Sequence, residues 1–403
     1  MGGYQMKYEL LSKIFYKEPD KYNEIYKNRF DSDSTIHIPL TIHDNPAFIV
    51  PTFEMMNLIE RIGKRSVYIN NLIIKQGEDI ASYILWDFVK DDIVISNEIE
   101  GVSSTRKEVE IAIHSQKTKQ PVRFKSLVGK YSLLLKSENY EIKTCKDVRK
   151  LYDAVTEGEI EESNLPDGKI FRKDSVSVVT LTQKEKHRGI VPEEKIIEYM
   201  NASLEFLNSD SSIPSLVRIA AFHYLFGYIH PFYDGNGRTS RLISSFKMVE
   251  DLGLIIPLRL SYAIKNNVKK YYAAFDYCND RKNKGDVTPF VLAFLELIDD
   301  SLDGIVEKLK FVIMKLRFYE NRIIKLTHND RCSDLWMEIV KSKVLDNNVV
   351  TVSMLAEKFA LNENTVRKYL KYGEDIGILS KNKVGHSYTY DINLELLDNI
   401  ENS

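Results

Sequence analysis

The sequence predicts a mainly α-helical protein with a small β-hairpin and a C-terminal winged helix-turn-helix. Apolar residues recur at helical spacing over long stretches, among them residues 53–73 and 214–229. Residues 169–182 instead alternate with a period of two, which is typical of paired strands. Beyond Arg331, two short helical patterns around a turn at residues 361–362 are followed by extended pieces. These observations predict a helical body, one hairpin and a separate C-terminal module.

The N-terminal part is predicted to contain core helices and one short helix with a well-marked end. The apolar side chains of residues 53–73 and 80–89 are expected in the core. The short helix, at residues 96–101, closes with Gly101, and glycine is common just past a helix end. Ser96 and Glu100 are four residues apart, so they share one face of that helix.

The densest group of reactive side chains lies at residues 230–241, which form the sequence HPFYDGNGRTSR. The apolar helix at residues 214–229 ends here, because Pro231 cannot continue it. A tight turn at residues 234–237 follows. A second helix is then predicted from about Arg238 to Leu252, before Gly253.

The start of this second helix predicts an anion site. The backbone N–H groups of Gly235, Asn236 and Gly237 point off a helix N-terminus, which attracts negative charge. Arg238 and Arg241 are three residues apart and lie on one face of the helix. A chain of phosphates is the expected ligand.

Two further side chains beside this site predict chemistry on a phosphate. Asp234 is a hard oxygen ligand, and Mg²⁺ is often held by one or two carboxylates together with substrate phosphates. His230 is a base whose usual pKa lies near neutrality. The two glycines alone would be a weak dinucleotide signal, and a Rossmann fold is excluded because a helix rather than a strand precedes them.

Residues 230–241 resemble the signature HPF-x-[DE]-GNGR-x-x-R of Fic-domain proteins at every specified position. The resemblance implies a Fic-type helical core with a β-hairpin flap, and transfer of AMP from ATP to a Tyr, Thr or Ser hydroxyl of a target protein. His230 would be the catalytic base, and Asp234 would hold the cofactor Mg²⁺. The residues implied in ATP binding are Gly235, Asn236, Gly237, Arg238, Thr239, Ser240 and Arg241.

The short helix near residue 100 resembles the inhibitory motif [ST]-x-x-x-E-[GN] of the same family. In that motif the glutamate pairs with the second arginine of the signature and occupies the place of the ATP γ-phosphate. The resemblance implies that Ser96 and Glu100 inhibit the enzyme through Arg241. An ordinary solvated helix end is the alternative interpretation of this stretch.

Two further stretches resemble parts of Fic domains. Residues 168–172 resemble the G-x-[YF]-R entry into the flap, with one extra residue, and the flap would position a target peptide by strand addition. Tyr272 and Asn279 resemble the family's YY-x-x-L element and its distal asparagine, which contact the nucleotide. Phe275 stands where that element has leucine. Aromatic residues at helical spacing are also typical of a core.

Other functions remain open at this stage. Some Fic relatives transfer another nucleotide or phosphate group, or remove AMP from a modified protein, in which case Glu100 would position water. A different class of function is a DNA-binding regulator in which the Fic unit acts as a sensor.

The composition gives no sign of a charged or membrane-bound partner. The 56 basic and 58 acidic residues balance to a net charge of −2, which does not favour nucleic acid. Three scattered cysteines argue against a disulfide framework or zinc site. The N-terminus has no secretory signal, and no stretch approaches transmembrane length. We therefore expect a cytoplasmic protein without a membrane partner.

For the C-terminal module, the sequence favours protein–protein docking or dimerisation at least as much as DNA binding. Its second helix presents Arg367, Lys368 and Lys371 in the manner of a recognition helix. However, residues 331–403 contain nine basic and eleven acidic residues, so the positive field that attracts DNA is missing. The expected partners are ATP, a target protein and the protein itself through auto-AMPylation. This module could also join two copies in a homodimer.

Four segments are predicted from these features. They are an N-terminal helical region carrying the inhibitory motif at 1–110, a Fic catalytic core at 111–300, a connecting helix at 301–333 and a winged-helix-like module at 334–403.

Overall fold

The computed structural model describes residues 8–136, 141–179, 185–209, 212–327, 330–346, 350–384 and 387–399. Over these residues the protein is mainly α-helical, as predicted, with small two- and three-stranded sheets. No helix within the described ranges carries an apolar run long enough to cross a membrane.

The helices are α1 Leu11–Lys17, α2 Pro19–Phe30, α3 Phe53–Ile74, α4 Glu78–Ile99, α5 Arg106–His114, α6 Lys125–Leu135, α7 Cys145–Thr156, α8 Glu193–Asn208, α9 Ser215–Ile229, α10 Asn236–Leu252, α11 Leu260–Asn266, α12 Val268–Asn279, α13 Thr288–Leu326, α14 Asp330–Lys341, α15 Val352–Lys358, α16 Glu363–Asp375 and α17 Leu394–Asp398. The strands are β1 Ile36–Ile42, β2 Asn45–Ile49, β3 Ser177–Val179, β4 Glu185–Arg188, β5 Val350–Thr351, β6 Leu379–Val384 and β7 Ser387–Ile392.

The chain forms two compact units that differ from the four predicted segments. Unit 1 contains the described residues up to Asn70 and those from Phe88 to Leu302. Unit 2 contains residues 71–87 and the described residues from Asp303 onward. The division falls inside three helices, because α3, α4 and α13 each contribute residues to both units. The functional assignment of the four segments stays a prediction.

Unit 1 is built around α9. Twelve of the fifteen residues of α9 are buried, and they lie on every side of the helix. A helix that is hydrophobic all round lies inside a protein rather than at its surface. Helices α8 and α10 pack against α9, and α7 packs against α10. The loop between α9 and α10 is therefore supported on several sides by helices.

The predicted flap forms a hairpin later in the chain than expected. Strand β3 pairs antiparallel with β4, with Ser177 opposite Arg188 and Val178 opposite His187. The prediction placed both strands within residues 169–182, whereas residues 169–176 form no strand. Residues 180–184, which include the end of the predicted pair, lie outside the described residues.

Unit 2 contains a three-stranded antiparallel sheet in the order β5-β7-β6, together with α14, α15 and α16. Its core surrounds Trp336, which is fully buried and stacks on Tyr372 at 5.7 Å between ring centroids. Gly373 lies so close to Trp336 that a Cβ there would be 2.8 Å from the indole. The winged-helix interpretation of these elements stays a prediction.

Candidate active site

The loop after α9 holds His230 in an unusual backbone conformation. His230 caps α9 with φ 51° and ψ 63°, and Pro231 follows it, so the helix stops here. Phe232 is fully buried, and its ring stacks on Tyr152 of α7 with centroids 3.7 Å apart. The start of the loop is thus anchored at the end of α9 and at Phe232, before the exposed Asp234.

Arg172 ties this loop to the base of the flap. In its buried guanidinium, Nε donates to the carbonyl oxygen of His230 at 2.8 Å. Nη2 donates to the carbonyl oxygen of Ile190 at 2.9 Å and to the carbonyl oxygen of Ile229 at 3.3 Å. Nη1 donates to the carbonyl oxygen of Asp174 at 2.5 Å. Burial lowers the pKa of Arg172 to about 10, so the side chain stays charged at neutral pH. The end of α9 and the start of the flap are therefore held by one cation.

Glu193, at the start of α8, holds the chain that enters the flap. Its carboxylate accepts backbone N–H bonds from Lys169 at 2.9 Å, Ile170 at 2.8 Å and Phe171 at 2.9 Å. Burial by itself raises the pKa of Glu193, but these three donors hold the pKa below its usual value. A Cβ at Gly168 would lie 2.5 Å from the carboxylate. The backbone groups that a strand would use are taken by this side chain, which explains why the hairpin begins later.

His230 is a neutral imidazole at physiological pH. Burial lowers the pKa of His230 to about 3, and the charges of Arg172 and His187 act in the same direction. A hydrogen bond with the backbone of Gly227 opposes them. A neutral ring has a lone pair that can accept a proton, as a general base requires.

The N-terminus of α10 has the geometry that the predicted anion site requires. Gly235 is the N-cap, with φ 78°, and it offers no side chain to the N–H groups of the first turn. A Cβ at Gly235 would lie 2.6 Å from the Thr156 side chain, so the close packing also requires glycine. The N–H of Gly235 itself donates to Asp234 Oδ1 at 2.5 Å. The dipole of α10 and the remaining N–H groups favour an anion here.

Three side chains predicted to bind ATP are engaged within the loop and the first turns of α10. The Asn236 side chain accepts from the Phe232 N–H at 3.0 Å and donates to the Phe232 carbonyl oxygen at 2.8 Å. The Thr239 hydroxyl donates to the carbonyl oxygen of Gly235 at 2.9 Å. The Ser240 hydroxyl donates to the carbonyl oxygen of Gly237 at 3.0 Å. These bonds fix the shape of the loop and of the first turns of α10.

Arg241 and the end of α4 meet as the sequence motif implies. Arg241 is 2% exposed, and its Nη1 donates to Glu100 Oε1 at 2.7 Å. Nε donates to Ser96 Oγ at 3.0 Å and Nη2 to the Ser96 carbonyl oxygen at 2.8 Å. Burial alone would lower the pKa of Arg241, but the Glu100 carboxylate raises it above its usual value. All three nitrogens of Arg241 are thus hydrogen-bonded by Ser96 in the last turns of α4 and by Glu100, which directly follows α4.

The Glu100 carboxylate lies directly against the first turn of α10. A Cβ at Gly237 would be 2.0 Å from Glu100 Oε1, so only glycine leaves room for the carboxylate. Glu100 is held there by the end of α4, where the N–H of Val102 donates to the Asn97 carbonyl oxygen at 2.9 Å and Gly101 adopts φ 73°. A carboxylate therefore occupies part of the space at a helix N-terminus, where backbone dipoles favour an anion.

Arg238 has a different environment. Its guanidinium is buried, and Nη1 pairs with Glu159 Oε2 at 2.5 Å. Nε and Nη2 are also buried, and neither has a hydrogen-bond partner among the described residues. A buried charged donor without a partner is costly, so these two groups indicate the place of a ligand.

Tyr272 and Asn279, both on α12, lie in different surroundings. Tyr272 is 43% exposed; burial raises the pKa of its hydroxyl, and the charge of Glu100 adds to that effect. The structure therefore brings Tyr272 near the Glu100–Arg241 pair. Asn279 Oδ1 accepts from the Tyr224 hydroxyl at 2.8 Å, which anchors it to α9.

Asp234 has the chemistry expected of a Mg²⁺ ligand. Its side chain is exposed beside the N-terminus of α10, and its Oδ1 accepts a hydrogen bond from the Gly235 N–H. Within the described ranges, no cluster of three or more His, Cys, Asp or Glu residues could hold a metal by itself. Mg²⁺ takes one or two carboxylates plus phosphate oxygens, so Asp234 fits an ion that arrives with a phosphorylated substrate.

Comparison with known proteins agrees with this geometry. Residues 143–246, which include α7 to the middle of α10, match the sequence model of the Fic/DOC family. The chain contains a Fic/DOC domain. Over 103 residues it is 35% identical to Protein adenylyltransferase Fic of Drosophila willistoni, and over 105 residues 32% identical to Protein adenylyltransferase fic-1 of Caenorhabditis elegans. Each alignment covers 25% of this chain and 18% of the relative, so the match spans under a fifth of those proteins.

The fold extends the likeness beyond the matched residues. The crystal structure of a Fic family protein from Desulfovibrio desulfuricans G20 superposes with a TM-score of 0.52 at 18% identity. The superposition covers 85% of this chain and 97% of that chain. At this identity the likeness concerns the fold.

Within the Fic/DOC domain, sequence reasoning missed two acidic residues that organise the site. Glu159 lies in an acidic stretch after α7, and no sequence signal separates it from its neighbours Glu157 and Glu161. Glu193 follows Pro192 at a helix start, where acidic residues are common for local reasons. Arg172 lay within the stretch that resembles the flap entry, but its four backbone contacts depend on the tertiary structure.

Proposed function

We propose that this protein transfers AMP from ATP to a hydroxyl side chain of a target protein. The observation that carries the proposal is the buried pair of unpartnered N–H groups on Arg238 beside the N-terminus of α10. Together they form a receptor for a phosphate oxyanion. The two relatives over the matched region are named protein adenylyltransferases, which supports AMP as the group transferred.

In this reaction His230 takes the proton from the attacking hydroxyl. The hydroxyl oxygen then bonds to the α-phosphorus of ATP as the bond from that phosphorus to pyrophosphate breaks. The products are an AMP–protein ester and pyrophosphate. The negative phosphates favour the protonated ring, so the pKa of His230 rises when ATP binds, which strengthens the base where it acts.

The first turn of α10 and Arg238 stabilise the charge that develops on the phosphoryl oxygens. Asp234 would hold Mg²⁺ together with phosphate oxygens, and the ion would supply further positive charge there. Arg241 holds the terminal phosphate once Glu100 has left it. The contact between Arg241 Nη1 and Glu100 Oε1, at 2.7 Å, supports autoinhibition, because it engages the arginine that would hold this phosphate.

The proposal is tested by incubating the purified protein, with and without a cell lysate, with labelled ATP and in parallel with labelled GTP, CTP and UTP. We expect label from α-labelled ATP on the protein itself and on lysate proteins. His230→Ala should reduce labelling by about 10²–10⁴-fold, while calorimetry shows ATP binding within a few-fold of wild type. Labelling of His230→Ala at the wild-type rate would contradict the mechanism. Removal of AMP from a premodified protein, without transfer, would favour a hydrolase.

A further inference from the structure

We infer that Glu159 is a positioning residue for phosphoryl transfer, and that it holds Arg238 so that the Nε–Nη2 edge of its guanidinium faces the substrate. This inference rests on the proposed function, since it concerns the same phosphate receptor. Glu159 lies between α7 and the flap, outside the signature at residues 230–241.

The contact geometry separates the two edges of the Arg238 guanidinium. Glu159 Oε2 binds Nη1 at 2.5 Å, and the side chains of the pair are 2% and 3% exposed. Nε and Nη2 carry parallel N–H groups on the other edge, and both are buried without a partner in the described part of the chain. Such an edge donates two hydrogen bonds to one carboxylate or phosphate group. Glu159 therefore compensates the charge of Arg238 without occupying the edge that can grip a phosphate.

Arg123 explains why Glu159 does not take that edge itself. Arg123 Nε donates to Glu159 Oε1 at 3.0 Å, so only Oε2 remains for Arg238. Arg123 is held in turn by Glu108 Oε1 at 2.8 Å and by the Ser103 carbonyl oxygen at 2.8 Å. A carboxylate with one oxygen committed to a second arginine cannot turn to grip Arg238 with both. The chain from Arg123 through Glu159 to Arg238 thus sets the orientation of the receptor.

This arrangement differs from that of Glu100. Glu100 and Ser96 together accept hydrogen bonds from Nε, Nη1 and Nη2 of Arg241, so each nitrogen of its guanidinium already has a partner. Glu159 leaves two donors of Arg238 open. The first contact blocks its arginine, whereas the second presents its arginine.

The test uses the full chain with Glu100→Gly, in which the proposed inhibition is removed, as the parent. Glu159→Gln keeps the shape of the side chain but removes the charge that orients Arg238. We expect kcat for auto-labelling to fall about tenfold. ATP should bind as tightly as in the parent or more tightly. The variant lacks a negative charge beside the phosphates, and a phosphate of ATP then becomes the counterion of Arg238.

Arg123→Met should change the Kd for ATP, whereas Glu159→Gln should change kcat. It frees Glu159 Oε1, so the carboxylate can bind both Nη1 and Nη2 of Arg238 and compete with the phosphate. We expect the Kd for ATP, measured by calorimetry, to rise several-fold, while the Kd for adenosine, which lacks phosphates, stays at the parent value. Arg123 is 38% exposed in its side chain, so this variant is expected to fold even if Glu159→Gln does not. Glu157→Gln, at an exposed neighbour, is the matched control and should match the parent in both constants.

The outcomes separate this inference from the proposed function. A parent that neither labels nor binds ATP would count against the proposed function. A labelling parent whose Glu159→Gln variant keeps the parental kcat, with Arg123→Met at the parental ATP Kd, would overturn the positioning role. A higher kcat in Glu159→Gln would also overturn it, and would make Glu159 an inhibitor like Glu100.

Discussion

The contact between Glu100 and Arg241 has the features of a competitor for a phosphate. The carboxylate is charged and reaches a buried arginine, and it lies against the backbone of Gly237 at a helix N-terminus. Each of these groups also suits a phosphate oxygen. The groups that hold the Glu100 carboxylate are therefore also suited to a phosphate.

Glu100→Gly should raise auto-labelling from ATP. Removing the carboxylate frees Arg241 Nη1 and the space above Gly237. A hydrogen bond to a charged group is worth about 1.5–3 kcal/mol, which shifts the balance between blocked and open states by roughly ten- to a hundredfold. The measurement is the initial rate of incorporation of α-labelled ATP.

Glu98→Gly is the matched control for this variant. Glu98 lies in the last turn of α4, two residues before Glu100, but it pairs with Lys265 on the surface, with 57% of its side chain exposed. Glycine in Glu98→Gly should weaken the end of α4 without removing a partner of Arg241, so only Glu100→Gly should gain activity. Equal labelling in both would reduce Glu100 to an ordinary helix end, and loss of AMP removal in Glu100→Gly would make it part of a hydrolytic site.

At the scale of elements, α9 and α12 pack closely at Gly227, where Phe275 of α12 fills the space that a side chain on α9 would take. A Cβ at Gly227 would lie 2.5 Å from Phe275 Cε1, so the ring occupies the space of a side chain on α9. Phe275 also packs edge-on against Phe290, with centroids 4.5 Å apart. Phenylalanine in place of the leucine of the family pattern thus fills a gap that exists because residue 227 has no side chain.

Gly227→Ala should therefore destabilise unit 1 by about 1–3 kcal/mol, the usual cost of overpacking a core. Phe275→Leu in the same chain should recover most of this loss, because the smaller side chain makes room for the added methyl group. Urea denaturation of the two single variants and the double variant measures the coupling. Additive effects would show that the two residues do not compete for space.

Helix α16 is expected not to bind DNA tightly. Arg367 pairs with Glu363 at 2.5 Å, and Lys371 pairs with Asp375 at 2.9 Å, both within the helix. Two of the three cations predicted to face a groove are thus partly neutralised, in a module that is already slightly acidic. A mobility-shift titration of the full chain at physiological salt should show no sequence-selective binding below micromolar concentration. Selective binding at lower concentration would favour the DNA-binding regulator.

At the scale of the whole molecule, buried histidines make stability depend on pH. His223 is fully buried and hydrogen-bonds Ser244 Oγ and the Tyr271 hydroxyl, each at 2.8 Å. Burial lowers the pKa of His223 to about 3. In the unfolded chain a histidine takes up a proton near pH 6.5, whereas the folded chain does not, so acid favours unfolding.

The free energy of unfolding should therefore fall between pH 6.5 and pH 3, by about 1.4 kcal/mol per pH unit for this group. His223→Gln removes the titration, so its pH profile should be shallower than that of wild type below pH 6.5 and parallel to it above. Both tryptophans, Trp86 and Trp336, lie in unit 2, so hydrogen exchange of the α9 amides is the suitable measurement. Parallel profiles throughout would contradict the lowered pKa.

Local sequence was sufficient to predict the helices around the site. The predicted end of α9 is correct because Pro231 stops a helix in any context, and Gly253 ends α10 with φ 69° as expected. Helix α10 begins at Asn236, two residues before the predicted start, since the Asn236 side chain folds back on Phe232. The facing of Ser96 and Glu100 towards Arg241 was predictable through the family resemblance alone.

By itself, the sequence determined the helical class, the loop with His230, and the pair of arginines on one face of α10. These features depend on residues that are neighbours in the chain, where spacing dictates geometry. The tertiary structure alone decided the strand positions of the flap, the orientation of Arg238 by Glu159, and the neutrality of His230. Each of these depends on a buried charge or hydrogen bond between segments far apart in sequence, and the strength of such contacts is set by burial, which spacing does not reveal.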